Sequence, residues 1–480
     1  MSRPRSGRSQ VVCGVDIGST NTKVVAVDPR GVVVARRWRT TPRRADDASI
    51  DALALLDAIE ELVIDLCADT HVVRAVSVAG VGEDGVLVDE ALTPLTPALA
   101  WFDPRRTALY RTLAPQLVPS TQTCTADDAA RSLVGWRWAA AHPDAARART
   151  WLALTDFPSS VWSGVPFMSD TIAARTAAWR AGTRDWADDR VAASLGSAEL
   201  LPLVKRGGDV VGTFASSRLS AAGVVHPEAV VVAGGHDHPV GGWGVHQMDP
   251  HSILDSMGTA EVVVAQASTP GVARTTDVDV APGIFGPGTT VLCVEELARN
   301  VQWAANDAEV GRYLDAIIAG DQRPDEYLHE PVFVPGARGG GGPRFTANVP
   351  CSPLSRASAV IGAMARLGGI AERAVAQHLP DRPRVYAAGG WSRSPGWMAA
   401  KEAVTGCRLT IIGEPQVTAA GAALLAAAAI GWTPSPSVTL GMADDAAART
   451  SAPRPADAGG PAPVRDPTDR SDVRERATQQ

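Results

Sequence analysis

From Val11 to Asp28 the chain reads VVCGVDIGSTNTKVVAVD: an apolar run up to Asp16, a small polar turn, Lys23, and a second apolar run. Two β-branched runs joined by a tight polar turn predict a hairpin. Gly18 lets a ligand come close to the backbone, and the N–H and hydroxyl groups of Ser19, Thr20, Asn21 and Thr22 are donors suited to phosphate oxygens. Asp16, ending the first run, offers the hard oxygen donors that a hydrated magnesium ion takes. Taken alone, D-x-G-x-T is equally well read as an ordinary hairpin with a polar turn.

A second copy changes the balance. Leu254 to Gln266 reads LDSMGTAEVVVAQ, with Asp255, then Gly258 and Thr259 at a turn, then a β-branched run. Two related hairpins, one near the start and one past the middle, predict two similar domains facing each other. These residues resemble the acetate-kinase/hexokinase/actin superfamily, in which paired phosphate-binding hairpins straddle a nucleotide cleft.

A chain of 480 residues is long enough for two or three domains with substantial cores. Its net charge of −7 gives no basic footprint for nucleic acid. No apolar stretch is long enough to span a bilayer; Ala422 to Ile430 is too short and reads as a buried helix. The opening MSRPRSGRSQ has basic residues but no apolar signal core. The cysteines at 13, 67, 124, 293, 351 and 407 form no C-x-x-C pair, which predicts reduced thiols in a cytoplasmic protein and argues against zinc.

Along the chain, Ala52–Cys67 carries apolar residues at helical spacing, and Val72–Val81 is the next buried strand, leading into Gly82–Gly85. This is the α/β alternation of a layered sheet. Val86–Asp89 is a further strand; Asp127–Ala153 is Ala- and Trp-rich and predicts helix, with Trp136, Trp138 and Trp151 as packing residues. A loop is expected from Asp156 to Asp170, then a helix over TIAARTAAWR, and a strand at Ala229–Val232 that ends at GGHDHPVGGWG. After a glycine-rich loop at Pro335–Arg344, the pattern predicts a helix at Ala357–His378, a strand at Arg384–Ala388, a helix at Met398–Gly406, a strand at Leu409–Ile412 and an Ala-rich helix at Thr418–Gly431.

Four further segments stand in order with the hairpins: VGEDGVLVD with AWFDPRR, GGHDH, AAGGWSRSPGW and EPQVTAAGAALLAAAAIG. Together they closely resemble the FGGY carbohydrate kinases, the group of xylulokinase, gluconokinase, fuculokinase and glycerol kinase, over roughly Val11 to Trp432. The resemblance implies two ribonuclease-H-like α/β domains, at 11–244 and 250–433, facing each other across a cleft, after a flexible stretch at 1–10. It implies transfer of the γ-phosphoryl group of ATP to a hydroxyl of a small ketose or polyol, with magnesium, and leaves a homodimer open. Phosphoryl transfer depends on positioning and charge stabilisation, and a sugar hydroxyl needs a carboxylate to accept its proton.

Asp237 matches the family's catalytic base; its bland reading is a helix N-cap. Asp16 would hold magnesium, Gly18, Thr20, Asn21 and Lys23 match the first phosphate loop, and Gly258 and Thr259 the second. Gly389 and Gly390, with Ser392, match the adenosine segment. Glu83, Asp84 and Asp103 are candidate acceptors for sugar hydroxyls, with Trp101 against the carbon skeleton and His238 beside the base. A solvated surface loop is the competing reading of Glu83 and Asp84. Xylulokinases resemble G-Q-M-H-G here and glycerol kinases N-Q-R-E-T, whereas this chain has V-G-E-D-G, and the Gly339–Gly342 run is glycine-richer than the family's segment, so the identity of the sugar stays open.

Three rivals are weighed. A non-catalytic sugar- or nucleotide-binding regulator on this fold usually carries an N-terminal helix-turn-helix, and only about ten residues precede the first strand. A radical-dehydratase activator needs cluster-binding cysteines, which are lacking. A Rossmann dehydrogenase needs G-x-G-x-x-G, and DIGSTNTK has only Gly18. Beyond about Met442 the chain turns to Ala, Pro, Asp, Arg and Gly, a composition that buries too little apolar surface to fold, so 442–480 is expected to be a disordered tail. Truncation after Met442 should therefore leave melting temperature and turnover at full-length values; loss of folding on truncation would show that the tail docks.

Overall fold

The structure is a computed structural model that describes residues 7–45, 47, 49–180, 182–336 and 342–442. The expected tail beyond Met442, residues 1–6 of the N-terminal stretch and residues 337–341 of the glycine-rich loop lie outside the described residues.

The first apolar run forms β1 (Ser9–Ile17), which pairs antiparallel with β2 (Asn21–Val27), placing Asp16 opposite Lys23. β3 (Val33–Thr40) extends the meander, and helix α1 (Ala52–Cys67) follows over the predicted residues, capped by the Asp51 carboxylate on the N–H groups of Leu53 and Ala54. β4 (His71–Gly80) then pairs parallel with β1. β5 (Val210–Thr213) and β6 (Val225–His236) complete a sheet of order β5-β6-β4-β1-β2-β3, with β6 parallel to β4.

The chain passes from β6 into helix α2 (Asp237–Met248), which runs unbroken through Gly244, and enters the second hairpin, β7 (Ile253–Met257) and β8 (Ala260–Ala267). With β9 (Asp279–Pro282), β10 (Thr289–Glu296), β11 (Val385–Ala388) and β12 (Leu409–Ile411), these form a second sheet of order β9-β10-β8-β7-β11-β12. In both sheets a three-stranded antiparallel meander is followed by two parallel strands: β3-β2-β1 then β4-β6, and β10-β8-β7 then β11-β12. The repeat read in the hairpins thus extends to the sheets that carry them. Helices α3 (Pro353–Ala376) and α4 (Pro395–Thr405) cover the second sheet.

The last long helix, α5 (Val417–Ala429), packs on β1 and β4 of the first sheet as well as on α2. Its alanines share a core with Val12, Val25, Val232 and Trp243. The approach is at backbone contact: a Cβ on Gly14 would lie 1.9 Å from the carbonyl oxygen of Ala419, and one on Gly421 2.5 Å from that of Val240.

Three local expectations are corrected. Asp127–Ala153 is a helix only at Ser132–Ala140, with a 3-10 turn at Pro143–Arg147 and a strand at Thr150–Ala153, whose Trp151 packs edge-on against Trp136. Within the expected loop at 156–170, Phe157–Ser163 is helical and Phe167–Ser169 is a strand. TIAARTAAWR is not one helix: Asp170–Ala173 makes a single turn and Ala174–Thr176 a 3-10 turn. The Thr176 hydroxyl then donates to the Ala173 carbonyl and accepts from the Ala178 N–H, while Ala177 takes a left-handed conformation. Local side-chain bonding of this kind competes with helix propagation.

Because α5 meets β1 with no room for a side chain, Gly14→Ala should destabilise the fold by about 1–3 kcal/mol, read as a lower denaturation midpoint at unchanged m-value. An unchanged midpoint would mean that the contact relaxes freely.

Candidate active site

The turn of the first hairpin closes with the Gly18 N–H donating to the Asn21 carbonyl at 3.1 Å. It is braced from outside by residues not singled out from the sequence. The Thr41 hydroxyl donates to the Gly18 carbonyl at 2.7 Å and Arg43 to the Ser19 carbonyl at 2.7 Å. Thr20 stays exposed at the tip. Lys23 pairs with Asp16 at 3.1 Å, and that carboxylate, first among the causes, raises the lysine pKa.

Asp237 is the first residue of α2, with His236 at the N-cap position. Its carboxylate accepts from the His238 N–H at 2.7 Å and is flanked by the imidazole Nε2 atoms of His236 at 3.2 Å and His238 at 3.5 Å. Its side chain is 19% exposed. Desolvation, then the nearby charge of Asp16, then that of Glu83 push this carboxyl up to about 8, against the lowering effects of the His238 N–H and Arg175. Asp16 and Asp237 are thus two carboxylates close enough to repel, with Lys23 offsetting part of the charge. Such a pair of hard oxygen donors fits magnesium.

Glu83 and Asp84 are buried, which removes the surface-loop reading. Glu83 is held by Arg175 at 2.8 Å and lies 3.8 Å from Arg131, and its second oxygen accepts from the Gly82 N–H. Asp84 lies 3.5 Å from the equally buried Arg106, leaving Oδ2 without a hydrogen-bond partner among the described residues. Burial, the largest cause, pushes its carboxyl up to about 7. The Trp101 indole N–H donates to the Ser19 hydroxyl at 2.8 Å, tying the acidic loop region to the phosphate turn. Asp103 is engaged by Arg105 at 2.7 Å, on the outer side of this group.

In the second half, the Gly258 N–H closes its turn on the Ala260 carbonyl at 2.9 Å, and the Thr259 carbonyl accepts from the Ala298 N–H at 3.0 Å. Gly389 has φ +88°, and a Cβ there would lie 2.3 Å from the Met257 carbonyl, so its glycine is a packing requirement. Gly390 and Gly258 are different: a Cβ on Gly390 meets nothing within 4 Å, and one on Gly258 only an oxygen at 4.0 Å. Open space over both backbones is what a nucleotide lying against them would fill. The buried Ser392 hydroxyl donates to the Gly389 carbonyl at 2.8 Å and holds that turn.

Asp255 does not repeat Asp16. It stands three residues before its turn glycine where Asp16 stands two before, and one residue of strand register reverses the face. Asp255 instead joins Glu261 and Glu372, the described carboxylates grouped closely enough to hold a metal, but the Lys401 ammonium already bonds Asp255 and Glu261 and lies 3.1 Å from Glu372. A lysine occupies the place of an ion.

The model of the N-terminal domain of the FGGY family of carbohydrate kinases matches residues 11–244. The L-fuculokinase of Escherichia coli (strain K12) is 27% identical over 326 residues, covering 62% of this chain and 67% of the relative. The xylulose kinase of the same organism is 25% identical over 347 residues, covering 67% and 68%. The crystal structure of xylulose kinase from Rhodospirillum rubrum superposes with a TM-score of 0.77 at 19% identity, over 90% of this chain and 92% of that one. Residues 11–244 belong to the FGGY family of carbohydrate kinases, as its N-terminal domain. The fold of the chain is the two-sheet, actin-like ATPase fold of that family, and among the described residues no helix is long and apolar enough to cross a membrane.

The site of this carbohydrate kinase uses several residues that the motifs did not single out: Arg43, Arg106, Arg131, Arg175 and Asp279. Arg106 stands in the AWFDPRR segment, and its five donors run to carbonyls of residues 83, 99, 100, 130 and 131, so it shapes the acidic loop from within. Arg175 also pairs with Asp279 of β9 at 3.1 Å, joining the two halves; a partner 104 positions away leaves no local signal.

Because the folded protein holds the Asp237 proton more tightly than an ordinary carboxyl, stability falls as pH rises from about 4 to about 8. Asp237→Asn removes this titration. The variant and wild type should melt together at about pH 4 and separate progressively up to pH 9, where the variant melts higher by about 2 °C or more. If no gap opens by pH 9, Asp237 does not titrate as assigned.

Proposed function

We propose that this kinase transfers the γ-phosphoryl group of ATP, the donor used by FGGY sugar kinases, to a hydroxyl of a small ketose or polyol of about five or six carbons, with Asp237 as general base. The observation that carries the reading is the placement of Asp237, a partly buried carboxyl of raised pKa that feels the charges of Asp16, Glu83 and Arg175. A general base works best when its pKa lies near the working pH.

Asp237 takes the hydroxyl proton as the sugar oxygen bonds to phosphorus and the bond to the departing ADP oxygen breaks. The first turn, Gly18 to Asn21, with Lys23, and the second, Gly258 and Thr259, would donate to the phosphate oxygens, while the Gly389–Gly390 turn, open over Gly390, would give the adenine a backbone to lie against. Asp16 would hold magnesium, largely through water; the ion supplies charge neutralisation at the phosphates.

For the acceptor, the unpartnered Asp84 Oδ2 and the carboxylate of Glu83 are acceptors that sugar hydroxyls would satisfy, with Trp101 as the apolar wall and His238 beside the base. Asp103 is the weakest of the proposed contacts, since Arg105 already engages it. The names of the relatives, L-fuculokinase and xylulose kinase, support a small sugar as acceptor.

Asp237→Asn keeps the shape but cannot take the proton, and should lower kcat by roughly two to four orders of magnitude while ATP affinity stays within a few-fold. Asp16→Asn should instead weaken the reaction in a way that added magnesium partly restores. Steady-state kinetics over a panel of pentuloses, hexuloses and polyols reads both, and near-normal sugar phosphorylation by Asp237→Asn overturns the mechanism.

A further inference from the structure

A cavity of about 710 Å³ lies apart from the cleft: none of Asp16, Lys23, Asp237, Gly258 or Gly389 lines it. Its walls come from both halves of the chain, with Arg180, Arg184 and Arg206 from the first and Arg274 from the second. Asp170 is the single acidic side chain among the described lining residues. Its carboxylate is already matched by Arg184 at 3.3 Å and by the Gly207 N–H at 3.3 Å.

The remaining positive charge is poorly offset. Arg274 donates to the carbonyls of Ser120 and Thr123, which are neutral acceptors. The Arg206 guanidinium has no ion pair or hydrogen bond among the described residues. Arg180 reaches only the exposed Asp185 at 3.4 Å and the Trp186 carbonyl, and its Nε is buried without a partner. This concentration of arginine stands in a chain of net charge −7. Gly271 and Gly286 also line the cavity, and a Cβ on either would meet nothing within 4 Å. The short strands Phe167–Ser169 and Leu203–Lys205 pair in parallel, and their carboxyl ends run directly into Asp170 and Arg206.

We propose that this cavity binds a small anion carrying one or more phosphate groups. Guanidinium forks match the several oxygens of phosphate, and arginines spread around one cavity can meet such an anion from several directions. The assignment goes beyond the kinase reading and does not depend on it.

The test is titration calorimetry on the full chain with inorganic pyrophosphate as the probe, comparing wild type with Arg206→Gln, Arg206→Lys and Lys23→Gln. Arg206 has no partner to lose, and the Lys variant, which keeps the charge, should melt with the wild type. With the nucleotide site filled by a saturating non-hydrolysable ATP analogue, pyrophosphate should bind the wild type and Lys23→Gln alike, and Arg206→Gln about tenfold or more weakly, with Arg206→Lys between. Three results would overturn the proposal: no binding to the wild type, binding lost in Lys23→Gln but kept in Arg206→Gln, or citrate binding as tightly as pyrophosphate.

Discussion

Helix α5 lies on β1 and crosses α2 at backbone contact distance, and the candidate site depends on both contacts. Gly14, which lets Ala419 approach, is two residues before Asp16 on the same strand. Val240, whose carbonyl meets Gly421, is three residues after Asp237 on α2. One helix of small residues therefore fixes the elements that carry both carboxylates. A side chain inserted at either contact would shift β1 or α2 and change the Asp16–Asp237 separation, which after desolvation is the second cause of the raised Asp237 pKa. Close packing leaves no intermediate arrangement for such a core to adopt.

The two halves handle buried charge differently. In the first half, Glu83 and Arg175, with Asp279 reaching across from the second, form a chain whose Glu83 end lies near Asp237, so the charges border the place where a substrate would lie. In the second, Asp255, Glu261 and Glu372 surround Lys401, and burial followed by the Asp255 charge pushes the Glu261 carboxyl up to about 8. A buried quartet of this kind is weak evidence for stability, since desolvation offsets the attraction. Asp255 and Glu261 do stand on either side of the Gly258 turn, in strands paired across it, so their common lysine fixes how the hairpin opens.

Local pattern made much of this legible. The hairpins, α1 from Ala52 to Cys67 and the alternation of strand and helix follow from periodicity and turn chemistry, which act over a few residues. The segment after Asp170 was illegible because its backbone follows distant partners: Arg175 reaches Glu83 and Asp279, and the turn at Thr176 and Ala177 delivers it there. The arginines of the site are invisible to motif reading for the same reason. Asp255 matches the first hairpin in residue type but not in register; D-x-x-G and D-x-G differ by one residue, and in a strand that is the difference between two faces.

The acidic loop and the phosphate turn are mechanically one piece. Trp101 donates to the Ser19 hydroxyl while Arg43, stacked 4.9 Å from the Phe102 ring, donates to the Ser19 carbonyl, so adjacent aromatic residues hold the same turn residue from two sides. Thr41 adds a third brace through the Gly18 carbonyl. A turn proposed to present N–H groups to phosphate gains little from flexibility, because each freely moving donor costs entropy when it is ordered. Here that ordering is built in before any ligand arrives, and its cause lies in the same segment, residues 101–102, that would wall the sugar pocket. Displacement of Trp101 by an ill-fitting acceptor would therefore loosen Ser19 as well. The link gives a physical route by which the fit of the acceptor could govern the readiness of the phosphate turn.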